Sequence, residues 1–510
     1  MTNFLKHYLL LLILQFFLSC NINFENRNHT FANEIENSFK PSQVVIGNDT
    51  LPKNSVPDFN HFSPSNTGFI VYDTQQKKVL FSHNRKKLFM PASTAKIITA
   101  TTAFMVLGDN YRYNTSVYYD GEITDGVING NIYLRGEGDP SFTASDMVNM
   151  ISKLKKKGVT TITGNFYYDN LSLTSIPIIN PLFDEDEAYN SGISALSCEY
   201  NYISVNWTRP DKDGNILFNV TPDLPYLKIE RGEKELQKHE KFSCISDKYQ
   251  TIWHLCKNIN EFGSHRLPVR NTALHTSLLF QKIAAIHGIN LPYPQQNNTP
   301  KSSKLLVQHK GETVSSIIKT TLEFSVNQSA ELLFLSSASK IVGNKLNYSE
   351  SSKTILNYIK SKFTKVDWEG FTITNGSGLS TTSRTSPEQL LAFLIYADSK
   401  SYSGRELEYY MLPSGWGWSL KRRFNNPDNE FTLYAKTGTI HYANALAGIF
   451  YTKSGKRLLF VFLNSDNYRR KVFDKDTEKR GEKAQKEAKK WHNAYLRAMD
   501  ATIDNWIRTL

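Results

Sequence analysis

A mixed α/β (α+β) fold, with an antiparallel sheet flanked by helices and interrupted by a large strand-rich insertion, is what this 510-residue sequence predicts. Strand-like runs open and close the region after residue 65, and apolar residues at helical spacing follow each set. Between about Asp109 and Asn271 the pattern changes to short strands separated by turn signals, an interval too long for a simple connection. The length also exceeds one compact core, so two or three domains are expected.

The chain begins with a positive charge at Lys6 and an apolar run from Leu9 to Leu18, too short to span a bilayer comfortably. Residues 1–20 therefore read as a targeting segment. Cys20, directly after Leu18-Ser19, resembles a bacterial lipoprotein processing site and is the candidate lipid anchor, with simple signal cleavage as the alternative. Residues 21–65 are rich in Asn, Ser, Pro and charge with little periodicity, which suits a flexible tether.

Phe69 to Asp73 and Val79 to His83 flank the polar turn Thr74 to Lys78, so a hairpin opens the first folded part, residues 66–108. Met90-Pro91-Ala92-Ser93-Thr94-Ala95-Lys96 then leads into an Ala-, Leu- and Met-containing stretch that stops at Gly108, the pattern of a buried helix with a glycine cap. Ser93 falls in its first turn, with Lys96 three residues on and on the same face. A serine hydroxyl becomes a nucleophile when a neighbouring base takes its proton, and a neutral lysine can be that base. Lowering a lysine from ~10.4 to ~7 means destabilising its ammonium by roughly 4 to 5 kcal/mol, which burial and a second cation can supply.

Ser-x-x-Lys is a weak signal alone, since Ser152 to Lys155 and Ser337 to Lys340 also satisfy it. Two further motifs give it weight. Ser325-Val326-Asn327 opens a helical segment, and Lys436-Thr437-Gly438-Thr439 continues a strand-like run from Phe431. Lys-Thr-Gly occurs once in the chain, and Lys436 is the candidate second cation. Gly438, lacking a side chain, lets a substrate backbone approach the strand closely.

In the insertion, Asp120-Gly121, Asn129 to Leu134, Thr163 to Tyr168 and Asp213 to Phe218 mark turns and strands, with a helix over Ala144 to Lys156. Arg135, Glu137 and Asp139 read as a turn after a strand. The helical period at Leu279 to Gly288 marks the return to the first domain, and Glu312 to Leu322 gives another helix. Ser377, in the Gly-rich loop Asn375 to Gly378, lacks the Gly-x-Ser-x-Gly pattern and reads as loop structure. Ala445 to Tyr451 and Arg457 to Leu463 are adjoining strands. Ala484, Ala488, Trp491, Tyr495, Met499, Ile503 and Trp506 form a helical stripe that packs on the sheet, a membrane-surface helix being the alternative.

The order Ser93-x-x-Lys96, Ser325-x-Asn327, Lys436-Thr437-Gly438 resembles the penicillin-interacting serine D-Ala-D-Ala peptidases. Leu134 to Pro140, Ser194 to Ser197, Asn375 to Ser380 and Ala445 to Gly448 are similar to segments of the low-molecular-mass class C carboxypeptidase/endopeptidase branch. Val326 departs from the polar residue frequent there, but Ser325 and Asn327 both remain. The resemblance implies a penicillin-binding/β-lactamase-like serine transpeptidase fold, with an inserted region at 109–271, itself split in two, and the catalytic domain resuming over 272–510. It implies Ser93 as nucleophile, Lys96 as base and Ser325 as proton relay, with Asn327, Lys436, Thr437, Gly438 and Thr439 binding substrate. Backbone N–H groups of Ser93 and Thr439 would form the oxyanion hole.

No metal or organic cofactor is implied, and the expected partners are peptidoglycan stem peptides and β-lactams in the bacterial envelope, on the periplasmic side, with membrane anchoring through Cys20. A β-lactamase and a non-catalytic wall-binding or β-lactam-sensing protein stay open as rival readings. The formal charge of +12 fits attraction to an anionic wall polymer or a coding bias, and no nucleic-acid motif accompanies it. Cys198, Cys244 and Cys256 have no metal-binding spacing, and their pairing stays open.

Overall fold

The computed structural model describes residues 63–235, 240–424, 430–475 and 481–510. Cys20, the targeting segment and most of the tether lie outside them.

The hairpin strands Thr67–Asp73 and Lys78–His83 form as the sequence predicts, and the first of them pairs antiparallel with Arg457–Ser465. Six strands result, in the order Leu412–Pro413, Leu433–Ile440, Ala443–Tyr451, Arg457–Ser465, Thr67–Asp73, Lys78–His83. Successive side chains on a strand point to opposite faces, and both faces here are apolar. Ile70, Ala447 and Val461 meet the helices on one side, while Phe69, Phe460 and Phe462 meet the C-terminal helix on the other. The sheet is thus the middle layer of three.

That last helix, Glu482–Thr509, buries Met499, Ile503 and Trp506 completely, and the indole of Trp506 lies 5.3 Å from the ring of Phe69. Its stripe packs inside the protein, Met499, Ile503 and Trp506 on the sheet and Ala488, Trp491 and Tyr495 against Tyr442 and Phe473, which leaves no apolar face for a membrane surface there. Among the described residues, no helix is long and apolar enough to cross a membrane.

The insertion holds two bodies. A five-stranded sheet containing Arg112–Tyr119, Ile132–Gly136 and Phe166–Asp169 packs with the helix Ala144–Lys156, which starts on a Thr143–Asp146 capping box. Two three-stranded sheets between Tyr202 and Pro268 enclose a second core around Val205, Trp207, Trp253 and Leu267.

One boundary differs from expectation. The helix Thr272–Ile286 buries Leu274, Leu278 and Phe280 in the insertion core, not in the catalytic domain, and the strand Lys304–Thr313 pairs with Arg112–Tyr119. The packing boundary therefore lies near residue 313 instead of 271. A helical period reports that a face is buried without saying which core receives it. Conversely Leu173, Ile193 and Ala195, within the insertion in sequence, pack in the catalytic core. No disulfide joins Cys198, Cys244 and Cys256. Cys244 lies opposite Trp253 in the ladder, and the Cys256 thiol donates to Lys241 O at 2.7 Å.

Candidate active site

Ser93 occupies a 3-10 turn, Ala92–Thr94, that runs into the helix Ala95–Val106. Ala92 has φ of 46°, a left-handed conformation costly for a residue with a Cβ. It is held from below by Gly378, where an added Cβ would lie 1.9 Å from Ala92 O and whose own φ is +75°. The loop Asn375 to Gly378 thus fits under the nucleophile turn because it carries glycine there.

Lys96, the second residue of the helix Ala95–Val106, is fully buried. Its Nζ lies 3.0 Å from Ser93 Oγ, 2.6 Å from Asn327 Oδ1 and 2.8 Å from Ser377 O. A neutral amine has two N–H groups and one lone pair. With the Asn327 and Ser377 oxygens accepting the two hydrogens, the lone pair is left for the Ser93 hydroxyl. Burial first, and then the Lys436 cation, hold Lys96 well below the usual lysine range, against an opposing pull from Glu331. Lys436 itself is pushed down to about 7 by burial, and its Nζ donates to Thr437 O at 2.9 Å.

Asn327 begins the helix Asn327–Val342, and its Nδ2 donates to Tyr189 O at 2.9 Å. Ser325 sits between that helix and the preceding one, Val314–Glu323, with φ of 57°. This tight junction turns Ser325 into the cleft, and its hydroxyl has no hydrogen bond among the described residues.

The strand Leu433–Ile440 passes alongside. A Cβ on Gly438 would lie 2.9 Å from Pro91 O and 3.1 Å from Ser93 N, so only glycine lets the strand come this close to the nucleophile turn. Its short neighbour Leu412–Pro413 pairs with Ala435 and Tyr434 alone, leaving residues 436–440 without a partner strand on that side. A cleft of about 710 Å³ opens here, lined by Ser93, Ser325, Asn327 and Thr439 among the expected residues. Lys96, Lys436, Thr437 and Gly438 do not line it, and Thr437 Oγ1 lies 3.3 Å from Ser419 Oγ.

Sequence reading missed Glu331, Phe183, Tyr189, Lys489 and His492, and gave Ser377 only a loop role. Glu331, fully buried, accepts the N–H groups of Gly376 and Ser377 at 2.9 Å each and so sets the Ser377 carbonyl that Lys96 uses. Burial raises its carboxyl above the usual range, against those hydrogen bonds. Its spacing of four from Asn327 on one helix face was the available signal. Ser377 acts through its backbone oxygen, which no residue identity announces. Phe183 and Tyr189, distant in sequence, complete the cleft wall with Lys489 and His492 of the last helix.

Comparison with known proteins gives the family and the fold. Residues 54–488 match the D-Ala-D-Ala carboxypeptidase 3 (S13) family model. A D-alanyl-D-alanine carboxypeptidase DacB of Haemophilus influenzae is 24% identical over 420 residues, 78% of this chain and 85% of the relative. A D-alanyl-D-alanine carboxypeptidase of Actinomadura sp. (strain R39) is 25% identical over 440 residues, 78% of this chain and 77% of the relative. The crystal structure of penicillin-binding protein 4 from H. influenzae superposes with a TM-score of 0.69 at 22% identity, over 78% of this chain and 90% of that one. The fold is that of the penicillin-binding proteins, and the chain, a serine-type hydrolase by this match, belongs to the D-Ala-D-Ala carboxypeptidase 3 (S13) family.

Proposed function

We propose that this family member hydrolyses D-Ala-D-Ala-terminated or D-Ala-linked peptidoglycan peptides through an acyl-enzyme on Ser93, and that β-lactams trap it at the same atom. The observation that carries this reading is the three-way seating of Lys96 between Ser93 Oγ, Asn327 Oδ1 and Ser377 O. Lys96 removes the Ser93 proton as the Oγ attacks the penultimate D-Ala carbonyl, and the backbone N–H groups of Ser93 and Thr439 receive the developing oxyanion. Ser325, with its hydroxyl uncommitted, passes a proton to the departing D-amino acid. Lys436 lowers the proton affinity of Lys96 and draws the substrate carboxylate, with Thr437 and Thr439 as hydrogen-bond partners and Asn327 beside the peptide amide.

Intact-mass spectrometry after incubation with penicillin tests this. A stable adduct should form on the parent chain and be absent in Ser93→Ala, and Lys96→Ala should acylate at least ~10²-fold more slowly, as expected on losing a general base. Release of D-Ala from a defined pentapeptide, or cleavage of a cross-bridge, is expected from the parent. Fast repeated penicillin turnover without peptide cleavage would establish a β-lactamase instead, and an adduct with neither turnover a sensor.

The apolar run ending at Leu18-Ser19-Cys20 supports an envelope location with lipid on Cys20. Labelled fatty acid should enter the parent chain in a bacterial host and not Cys20→Ser; equal labelling of both would remove the anchor.

A further inference from the structure

Outside the catalytic cleft, the described residues contain one cluster in which His, Asp and Glu offer ligand atoms to a common point. One such atom from each of Asp186, Glu187 and His265 lies within 4.8 Å of the other two. We propose that this cluster is a binding site for a divalent transition-metal ion of the zinc class, which ties the cleft wall to the insertion.

Asp186 carries the argument. It is 1% exposed, and its Oδ2 accepts the backbone N–H groups of Lys241 and Phe242 at 2.8 and 3.1 Å. Its Oδ1 is buried without any hydrogen-bond partner. A bare, buried carboxylate oxygen is rare in native proteins and calls for a partner such as an ion. Nearby cations do not supply it. Arg270 donates to the carbonyl oxygens of Pro177, Glu185 and Asn190, and among the described residues the ion-pair contact of Asp186 is with His265, at 3.7 Å.

His265 is prepared as a ligand. Its Nε2 lies 2.9 Å from Asp186 O, and its ring stacks on Phe242 at 6.0 Å between centroids. Nε2 faces both the Asp186 carbonyl and, at 3.7 Å, its carboxylate, so it is the nitrogen the ion would take, exchanging the contact to the carbonyl for the metal. One imidazole with two carboxylates is a mixed N/O donor set, suited to zinc or manganese and unlike the all-oxygen shells of calcium and magnesium.

The placement gives the site a consequence. Phe183, Asp184 and Tyr189 from the same segment line the catalytic cleft, and Tyr189 O holds Asn327. His265 belongs to the strand Gly263–Pro268 of the second body of the insertion, and the Asp186 contacts fall at the start of the strand Phe242–Ser246 in the other sheet of that body. An ion here would fasten the cleft wall to the insertion a few residues from the substrate.

Equilibrium dialysis of the untagged, chelator-stripped chain against Zn²⁺, Mn²⁺ or Ca²⁺, read by elemental mass spectrometry, tests the proposal. One Zn²⁺ per chain is expected, with affinity reduced at least about tenfold in Glu187→Gln and in His265→Gln. Penicillin labelling of Ser93 in each variant checks that the chain is folded, and Glu187→Gln leaves the Asp186 hydrogen bonds untouched. Absence of stoichiometric zinc, retention of full affinity in both folded variants, or tighter binding of Ca²⁺ than of Zn²⁺ would each overturn it.

Discussion

At the scale of single residues, the site is organised around two lysines that the fold makes costly to protonate. An unfolded lysine keeps its proton up to about pH 10.5, whereas Lys436 in the folded chain gives it up near 7. Between those values the unfolded chain holds the extra proton, so stability rises with pH through that window, and the full penalty stands below about pH 7. A shift of that size corresponds to roughly 4 to 5 kcal/mol as an upper bound. Lys436→Met should therefore melt several degrees higher than the parent at pH 6 while losing efficient acylation of Ser93. The gain should shrink toward pH 10. Removing this cation also relieves Lys96, whose depression it contributes to, so both effects act in one direction. Thermal melts of parent and variant at the two pH values check this, and a stability difference independent of pH would contradict the assignment.

At the scale of elements, periodicity was legible and placement was not. The hairpin, the helix Ala144–Lys156 and the stripe of the last helix follow from spacing, because alternation and the 3.6-residue repeat are set by the backbone itself. Of the motif residues, Ser93 and Asn327 both come within hydrogen-bonding distance of Lys96. What spacing could not disclose was the strained turn at Ala92, the left-handed junction at Ser325 and the loop N–H groups that the Glu331 carboxylate holds. Each depends on a contact between segments far apart in sequence. Gly378 and Gly438 belong to the same class: both residues are visible in the sequence, but the reason for glycine appears only when Ala92 O and Ser93 N are found where a side chain would go. The packing of the chain after residue 272 was hidden for a related reason, since the helix Thr272–Ile286 is buried from Thr272 through Phe280 and its pattern does not say which core receives it.

At the scale of the whole molecule, the boundary between the two cores decides which part of the chain can fold alone. The core around Val117, Leu134, Met150 and Phe166 is completed by Leu278 and Phe280 from the helix and by Leu306 and Val307 from the strand Lys304–Thr313. A fragment spanning 109–314 contains all of them, whereas one ending at 271 exposes the apolar surface those elements cover and leaves Arg112–Tyr119 without its partner on one edge. The longer fragment should therefore show the cooperative melting of the core around Val117, whereas the shorter one should lose that transition and keep only that of the second body around Trp253. The segment between Leu173 and Ile193 is the exception within it. Leu173, Ile193 and Ala195 pack in the catalytic core, so in isolation they lose their partners and the chain between them should become the preferred site of protease attack. Limited proteolysis of the 109–314 fragment with cuts mapped by mass spectrometry reads both points at once. Cleavage confined to that segment is the expected result. Cuts spread through the strands, or an intact transition of the core around Val117 in the fragment ending at 271, would return the boundary to where the sequence pattern first placed it.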